Sequence, residues 1–166
     1  MTRPTVAVLG PSLILALIAF GVDRLHKLVQ LDFLGWTGGE FVPVTGFFDY
    51  VLVWNTGISY GLLGDLPFWA LAILIASALI GLCVWWYRAD SGLLRAGLAL
   101  AIGGALSNAF DRWRYGAVAD FFHFHLQNWS FYIFNVADAA ITIGVLLLIL
   151  DFVGIGRGKR SERIAA

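Results

Sequence analysis

Four long apolar runs account for most of the sequence. They cover residues 4–22, 67–87, 92–110 and 129–150, and their only charged residues are Arg95 in the third run and Asp138 in the fourth. Because about 20 apolar residues cross the hydrocarbon core of a bilayer as an α-helix, each run can span a membrane. The pattern therefore predicts four transmembrane helices. We place them at about 6–26, 67–88, 93–113 and 130–153.

Polar segments between the runs indicate which side of the membrane each faces. We predict outer loops at 28–66 and 114–129, a cytoplasmic loop at 88–94 and a cytoplasmic tail at 154–166. The Lys and Arg residues of the cytoplasmic side are Arg3, Arg88, Arg95, Arg157, Lys159, Arg160 and Arg163, and those of the outer side are Arg24, Lys27, Arg112 and Arg114. Because cytoplasmic segments carry the excess of Lys and Arg, we expect both termini in the cytoplasm.

The two outer loops have the composition of short strands. Residues 41–54 mix β-branched and aromatic side chains around Pro and Gly breaks, and residues 118–125 have a period of two. We expect a small β-structured element on the membrane surface. The predicted fold class is an all-α polytopic membrane protein, a single membrane domain over 1–166 with this added β-element.

Composition supports the membrane interpretation. Hydrophobic residues make up 60% of the chain and charged residues 13%, with a mean hydropathy of +0.81, whereas soluble domains average roughly 25% charged residues. The formal net charge is zero, so nothing indicates nucleic acid as a partner. The single cysteine, Cys83, excludes an internal disulfide.

Two acidic residues are the candidate chemistry. Asp138 lies inside an apolar run, where an Asp at the centre of a membrane helix costs roughly 2.5–3.5 kcal/mol, and such residues are usually functional. With the fourth helix starting near Trp129, Asp138 would lie about 13 Å along the helix axis. Asp120 lies in the second outer loop. We expect the two carboxyl groups to converge near the membrane surface as an acid–base pair.

Further polar residues share helix faces. Asp23 and Lys27 are four apart, so an ion pair is predicted as one alternative; the others are a charge pair that ends the helix and a lysine that reaches the outer surface. Asn108, Asp111 and Arg112 also share a face. We expect an Asp111–Arg112 pair, with Asp111 supporting the site without taking part in the chemistry.

Two shorter motifs allow either a structural or a functional interpretation. Asn55-Thr-Gly57 is typical of a turn, although Asn55 could bind a peptide or a carboxylate group. His123 and His125 lie on the same side of an extended segment, but no Cys or acidic residue accompanies them at a recognisable ligand spacing. We therefore expect no metal site.

Five sequence blocks in order carry a resemblance to a known family. They are Asp23 to Lys27, Asn55-Thr-Gly57, Gly103-Gly-Ala-Leu-Ser-Asn108-Ala-Phe-Asp111-Arg112, Val118-Ala-Asp120-Phe and Phe134-Asn135-Val-Ala137-Asp138-Ala-Ala-Ile141. Together they span nearly the whole chain, which resembles the bacterial lipoprotein signal peptidases, or signal peptidase II. The chain departs from the family pattern at Arg24, where Gln is common, and at Ser107, where Gly is common.

The resemblance implies an intramembrane aspartic peptidase of the bacterial inner membrane, with its active site toward the periplasmic face. Its substrates would be prolipoproteins that carry diacylglycerol on the lipobox cysteine, cut immediately before that cysteine. It also implies a β-cradle and a surface helix that correspond to the long first outer loop, no cofactor, inhibition by globomycin-type peptides, contact with membrane lipids and a monomeric enzyme. Asp120 and Asp138 match the catalytic dyad. Supporting or substrate-binding positions match Asp23, Lys27, Asn55, Gly57, Asn108, Asp111, Arg112, Asn135 and Ala137.

Two other functions fit part of the pattern. A proton-coupled transporter could use Asp138, Asp111 and Arg112 as a relay, but the sequence has no internal repeat of the kind transporters show. A purely structural membrane protein could use its polar residues to hold helices together. Such contacts contribute only about 0.6 kcal/mol each on average, so a structural role alone does not explain so many polar residues on one side of the membrane.

Overall fold

A computed structural model describes residues 6–57 and 67–155 of the chain. The helices are α1 (Val6–Lys27), α2 (Phe68–Arg88), α3 (Gly92–Tyr115) and α4 (Val136–Phe152), and a π-helical segment (Leu28–Phe33) directly follows α1. The strands are β1 (Phe41–Thr45), β2 (Phe48–Asn55), β3 (Val118–Leu126) and β4 (Trp129–Ser130).

Helix α3 is the centre of the helical bundle, and it contacts α1, α2 and α4. Its glycines allow backbones to approach closely. A Cβ atom added at Gly103 would lie 2.3 Å from the carbonyl oxygen of Ala16 in α1, and one at Gly104 would lie 2.4 Å from that of Ala137 in α4. The small residues of α3 therefore set how closely the neighbouring helices pack on both sides.

The four strands form one antiparallel sheet in the order β1-β2-β3-β4. Leu52, Ala119 and Phe121 form its buried core, against which Trp36 and Tyr50 pack. Gly116 caps α3 in the left-handed conformation, with φ of 76°, and turns the chain directly into β3. This short connection places β3, and Asp120 with it, beside the end of α3.

The start of α4 differs from the sequence prediction. The helix begins at Val136, whereas we predicted its start near Trp129. Residues 129–130 instead pair with 125–126 in the sheet, and Phe134 exchanges backbone hydrogen bonds with Phe122. Because these backbone groups bond to the sheet, the helix starts only after Asn135. Asp138 is consequently in the first turn of α4, and the predicted depth of about 13 Å along the helix axis is wrong.

The other helix bounds lie close to the predicted ranges, but the all-α label does not describe the molecule. The sheet is built from both predicted outer loops, as the sequence indicated, and it carries Asp120. A separate surface helix is absent from the described part of the first loop, 28–57, where only the π-helical segment is helical. Residues 58–66 of that loop, like the tail from residue 156 onward, lie outside the described residues.

The outward faces of the helices are apolar. Large aliphatic side chains are more than half exposed along α1 and α2, including Leu17, Ile18, Ile73 and Ile80. Within the described residues, two helices meet the length and hydropathy expected of a membrane span, at Trp69–Arg88 and Gly92–Tyr115. Such an extended apolar exterior is typical of a protein whose surroundings are lipid.

Candidate active site

Asp138 is held by the first turn of α4. Asn135 is the N-cap: its side-chain oxygen accepts from the backbone N–H of Asp138 at 2.9 Å, and its own backbone N–H donates to Oδ2 of Asp138 at 3.2 Å. This reciprocal arrangement is a capping box. The positive end of the helix dipole favours a negative charge at that position. The cap therefore fixes the Asp138 carboxylate and stabilises its ionised form.

Asp120 lies on β3 and is only 2% exposed. Its Oδ1 accepts from Nδ2 of Asn135 at 2.6 Å, and its Oδ2 accepts from Nδ2 of Asn55 at 3.2 Å. Burial, and after it the negative charge of Asp138, raises the pKa of Asp120 to about 7. Asn135 thus binds both carboxyl groups, through its side chain on one and its backbone N–H on the other.

Asn108 connects the pair to a buried lysine. The ammonium of Lys27 and Nδ2 of Asn135 both donate to Oδ1 of Asn108, at 3.3 and 3.1 Å. Since a lysine can only donate, it fixes which end of the amide faces it. Nδ2 of Asn108 is left to donate to Oδ1 of Asp138 at 2.8 Å. Lys27 thereby sets the orientation of a group that contacts the candidate dyad.

A buried ionic cluster supports this arrangement. Lys27 is 1% exposed and bonds Oδ2 of both Asp23, at 2.9 Å, and Asp111, at 2.5 Å. The i,i+4 ion pair expected for Asp23 is present, and a lysine reaching the outer surface is ruled out. Asp23 also accepts from the backbone N–H of Ala137 at 2.9 Å. The cluster therefore joins α1 and α3 to the first turn of α4.

Arg112 does not pair with Asp111, so that prediction is wrong. Asp111 instead bonds Arg24 at 2.5 Å, as well as Lys27. The guanidinium of Arg112 donates to the carbonyl oxygens of Asn108, at 3.2 Å, and Gly57, at 2.5 Å. Adjacent residues on a helix point in different directions, so Asp111 faces α1 while Arg112 faces the Asn55–Gly57 turn.

All eleven site residues expected from the sequence belong to one connected group of hydrogen bonds and ion pairs. Two side chains that bind the buried carboxylates of that group were not anticipated. Ser107 donates to Asp23 at 2.7 Å, and Arg24 bonds Asp111 while stacking over Phe110. These are the two positions at which the chain departs from the family resemblance, and both contact Asp23, since the guanidinium of Arg24 also lies 3.7 Å from Oδ2 of Asp23. The signal in the sequence was their helical spacing from Asp111 and Lys27.

Two cavities are lined by the candidate dyad, the first by both Asp120 and Asp138 and the second by Asp120 alone. The first, of about 230 Å³, has a polar end and an apolar remainder. Its polar end is lined by Asn55, Asn108, Arg112, Asp120 and Asp138, and its apolar part by Ile75, Ala78, Leu79, Leu82, Ala105, Val118, Ile133 and Ile141. The second, of about 460 Å³, runs along the sheet from Asp120 to His123 and Ser130. The carboxyl groups therefore lie where an apolar cleft between helices meets a more polar surface.

Potential metal ligands lie elsewhere on the sheet. Asp49, His123 and His125 bring one ligand atom each within 4.8 Å of one another. The acidic partner that the sequence did not reveal for the two histidines comes from β2, which is paired with β3.

A helical bundle with an apolar exterior, and with one buried and one partly buried carboxyl group at a cavity, defines a membrane enzyme that can carry out acid–base chemistry. The family model described as "Signal peptidase (SPase) II" matches residues 15–154. The chain belongs to the signal peptidase II family of peptidases. This membership sets aside the transporter and purely structural hypotheses.

Individual relatives agree with this membership. A protein of Methylobacterium radiotolerans named lipoprotein signal peptidase is 56% identical to this chain over 143 residues, which cover 84% of this chain and 82% of that protein. A protein of the same name from Rhodopseudomonas palustris is 44% identical, and the match covers 82% of this chain and 87% of that protein. A third, from Methylorubrum extorquens, is 56% identical over 108 residues, so that the match spans 63% of each chain. A solved structure titled "Bacterial membrane enzyme structure by the in meso method at 2.3 A resolution" is 25% identical, with a TM-score of 0.80 and 98% of each chain covered.

Proposed function

We propose that this chain removes signal peptides from diacylglyceryl-modified prolipoproteins, cutting immediately before the lipidated cysteine, with Asp120 and Asp138 as the catalytic dyad. The observation that carries the proposal is the shared binding of both carboxyl groups by Asn135 at the polar end of the cavity. Cleavage of prolipoprotein signal peptides is the activity expected from membership of the signal peptidase II family.

The dyad holds one proton between two carboxyl groups. Two neighbouring carboxylates resist ionising together, so one keeps its proton at neutral pH. We assign that proton to Asp120, whose pKa is raised to about 7. Asp138 is the ionised member, because the N-terminus of α4 faces its carboxylate in addition to two N–H donors, whereas Asp120 lies on a strand and has no helix terminus beside it.

Hydrolysis then follows from these protonation states. Asp138 takes a proton from a water molecule while the water oxygen adds to the scissile carbonyl carbon, and Asp120 gives its proton to the carbonyl oxygen. In the second step Asp138 gives its proton to the leaving nitrogen as the C–N bond breaks, and a hydroxyl proton of the intermediate returns to Asp120. The products are a carboxylic acid and an amine, and the dyad again holds one proton.

The remaining site residues act by positioning. Asn108 and Asn135 orient the two carboxyl groups, and Asp23, Lys27 and Asp111 hold α1, α3 and α4 around them. Arg112 holds the Asn55–Gly57 turn against α3 through the Gly57 carbonyl, and Ala137 places α4 against Asp23. Asn55 lines both cavities, where a bound peptide would contact it, and its side-chain oxygen accepts from the backbone N–H of Gly57.

The apolar part of the first cavity suits the substrate. Half of its apolar side chains come from α2, and the others come from α3, β3, α4 and the segment before α4. An acyl chain or the apolar core of a signal peptide would be buried there without losing hydrogen bonds. The scissile bond would then lie at the polar end, beside Asp120 and Asp138. Membrane lipids occupy the same cleft in the absence of substrate.

The proposal includes a membrane arrangement. Helices α1 to α4 each cross the bacterial inner membrane, both termini lie in the cytoplasm, and the sheet and dyad lie at the periplasmic face. The excess of Lys and Arg at residues 88–95 and in the tail supports this orientation. A reporter that is active only in the periplasm, fused after residue 166 or inserted at 90, tests it. Activity of the reporter at either position would contradict the arrangement.

A purified-component assay tests the function. The full chain in detergent is given two matched lipobox peptides, one with and one without diacylglycerol on the cysteine, and products are identified by mass spectrometry. We expect one cut, immediately before the cysteine, and only in the lipidated peptide. Cleavage elsewhere, or equal cleavage of both peptides, would refute the substrate assignment.

We also propose that globomycin-type cyclic peptides inhibit by occupying the first cavity, and that one chain suffices for activity. Inhibition should be competitive with the lipidated peptide and weakened by Leu79→Trp, which fills the apolar part of the cavity. Activity per chain should be the same in nanodiscs that each hold one enzyme molecule as in nanodiscs that hold several. Loss of activity in singly loaded nanodiscs would contradict the monomer.

A further inference from the structure

Two histidines and a buried aspartate converge on the sheet away from the candidate dyad. Nδ1 of His123 lies 3.3 Å from Oδ2 of Asp49, and Nε2 of His125 lies 2.9 Å from the same oxygen. Asp49 and His123 are directly opposite each other on β2 and β3, and His125 is two residues further along the same face. The pairing of the strands therefore builds the cluster.

The Asp49 carboxylate needs a positive partner. It is only 5% exposed, and within the described residues its ion-pair partners are these two imidazoles, with no ammonium or guanidinium among them. Nε2 of His125 is enclosed and makes no hydrogen bond in the described part of the chain, even though Asp49 lies close, because its direction does not suit one. A buried carboxylate and an enclosed nitrogen without a bond are both costly unless a cation lies between them.

Ser130 fixes the ring of His123 in the orientation that a metal ligand requires. The hydroxyl of Ser130 donates to the carbonyl oxygen of Phe131 at 3.2 Å, so its oxygen accepts from Nε2–H of His123 at 2.7 Å. In the neutral imidazole with its hydrogen on Nε2, Nδ1 presents its lone pair toward Asp49. Metal-binding histidines characteristically donate their other ring N–H to such a partner.

We propose that Asp49, His123 and His125 bind a divalent transition-metal ion of the Zn²⁺ type. Ligand atoms 2.0–2.2 Å from a tetrahedral Zn²⁺ lie about 3.3 Å from one another. The two measured separations from Oδ2 of Asp49 are close to this value. Two imidazoles and one carboxylate also suit zinc better than the oxygen-seeking ions Mg²⁺ and Ca²⁺. The fourth position is left for water or another ligand.

The ion would join β2 to β3 next to the second cavity. His123 and Ser130 line that cavity, and Asp120 lines it as well. An ion at this place stiffens one wall of the cavity without belonging to the proposed dyad. The metal site and the proposed peptidase function can therefore fail independently of each other.

Zinc binding to the full chain in detergent tests the proposal. The protein is purified with a tag other than polyhistidine, stripped with a chelator and titrated with ZnCl₂ in a calorimeter. We expect saturable binding of one Zn²⁺ per chain and a rise in Tm with Zn²⁺ but not with Mg²⁺. Absence of saturable binding would overturn the site and would leave only an imidazole–carboxylate ion pair.

Matched variants locate the bound ion. His125→Gln and Asp49→Asn should weaken binding by at least tenfold, and Ser130→Ala, which keeps all three ligands, should weaken it by about 10–100-fold. His26→Gln removes the remaining histidine of the chain and should leave binding unchanged. Asp138→Asn should also leave it unchanged. Retention of binding in His125→Gln, or its loss in Asp138→Asn, would show that the ion binds elsewhere and would refute the proposal.

Discussion

Asn135 is the single residue through which both carboxyl groups are positioned. Its backbone N–H and side-chain oxygen hold the first turn of α4 with Asp138, and its side-chain nitrogen reaches across to Asp120 on β3. An aspartate in its place would keep the helix cap but would lose the N–H donors to Asp120 and Asn108. The chemistry of an amide, with a donor and an acceptor on one side chain, is what the site requires here.

Asn55 provides a prediction about pH dependence. Because Asp120 must keep its proton, kcat/KM should fall as pH rises through about 7, where this carboxyl ionises. The bond from Asn55 stabilises the ionised form of Asp120, so Asn55→Ala should raise the pKa of Asp120 further. A hydrogen bond worth about 0.5–1.5 kcal/mol corresponds to about half to one pH unit.

The measurement is the pH profile of kcat/KM for the wild type and Asn55→Ala. The falling limb should move to higher pH in the variant, whatever happens to the absolute rate. Thr56→Ala is the matched control, since this neighbour lines the second cavity and makes no hydrogen bond to Asp120 in the described residues. A shift of the falling limb to lower pH in Asn55→Ala would contradict the assignment of the dyad's proton to Asp120.

At the scale of elements, α3 and α4 meet through small residues that leave no room for a side chain. A Cβ at Gly104 would lie 2.4 Å from the carbonyl oxygen of Ala137, directly before Asp138. Gly104→Ala should therefore push the start of α4 away from α3. We expect a loss of about 1–3 kcal/mol in stability and a fall in activity, because Asp138 moves with the helix.

Gly81→Ala is the matched control for this substitution. Gly81 lies in α2 and has nothing within 4 Å of the added Cβ. Alanine also favours the helix by up to about 1 kcal/mol over glycine. The cleavage rate should match the wild type, and the Tm in detergent should be equal to that of the wild type or slightly higher. Equal behaviour of Gly104→Ala and Gly81→Ala would show that the close approach of α3 and α4 does not position the site.

The elements show how far the sequence alone can be interpreted. Long apolar runs predicted α1 to α3 closely because hydropathy decides where a membrane helix lies. The same criterion misplaced the start of α4. The mostly aromatic residues 129–134 are as apolar as those of a membrane helix, but their backbone groups bond to the sheet. Asp49 could not be identified as the partner of His123, because only the register of β2 against β3 brings them together.

At the scale of the whole molecule, Lys27 joins three helices. Its ammonium bonds Asp23 of α1, Asp111 of α3 and Asn108 of α3, while Asp23 holds Ala137 of α4. Removing one partner from a buried ionic group leaves uncompensated charge, which costs about 3–5 kcal/mol. Lys27→Met should therefore unfold at a much lower temperature than the wild type.

A second substitution separates charge from packing. Lys27→Met combined with Asp111→Asn should recover part of the lost stability, because it removes the excess negative charge that Lys27→Met leaves among Asp23, Asp111 and Arg24. Arg114→Met, an exposed charge change on the same helix as Asp111, should stay within about 0.5 kcal/mol of the wild type. Thermal unfolding followed by circular dichroism measures all three. A Tm of Lys27→Met equal to that of the wild type would contradict the role of the cluster.

The whole-molecule arrangement explains what the sequence could predict of the site and what it could not. The sequence blocks that resemble the family supplied the full set of eleven residues, which includes Gly57 and Ala137 although neither has a polar side chain. Their pairing depends on how α1, α3 and α4 pack, so the partner of Asp111 was misassigned to its neighbour Arg112. The bonds of Arg24 and Ser107 likewise depend on the packing of α1 against α3, so they could not be predicted from the sequence.

The cleavage rate of Asp120→Asn and Asp138→Asn under single-turnover conditions tests the proposed dyad most directly. Each variant keeps the shape of the side chain but removes its ability to exchange a proton, so cleavage of the lipidated peptide should fall by roughly 10²–10⁴-fold or more. Asp32→Asn, which changes an exposed aspartate of the π-helical segment, should cleave at the wild-type rate. Wild-type cleavage by a folded Asp120→Asn or Asp138→Asn variant would contradict the dyad.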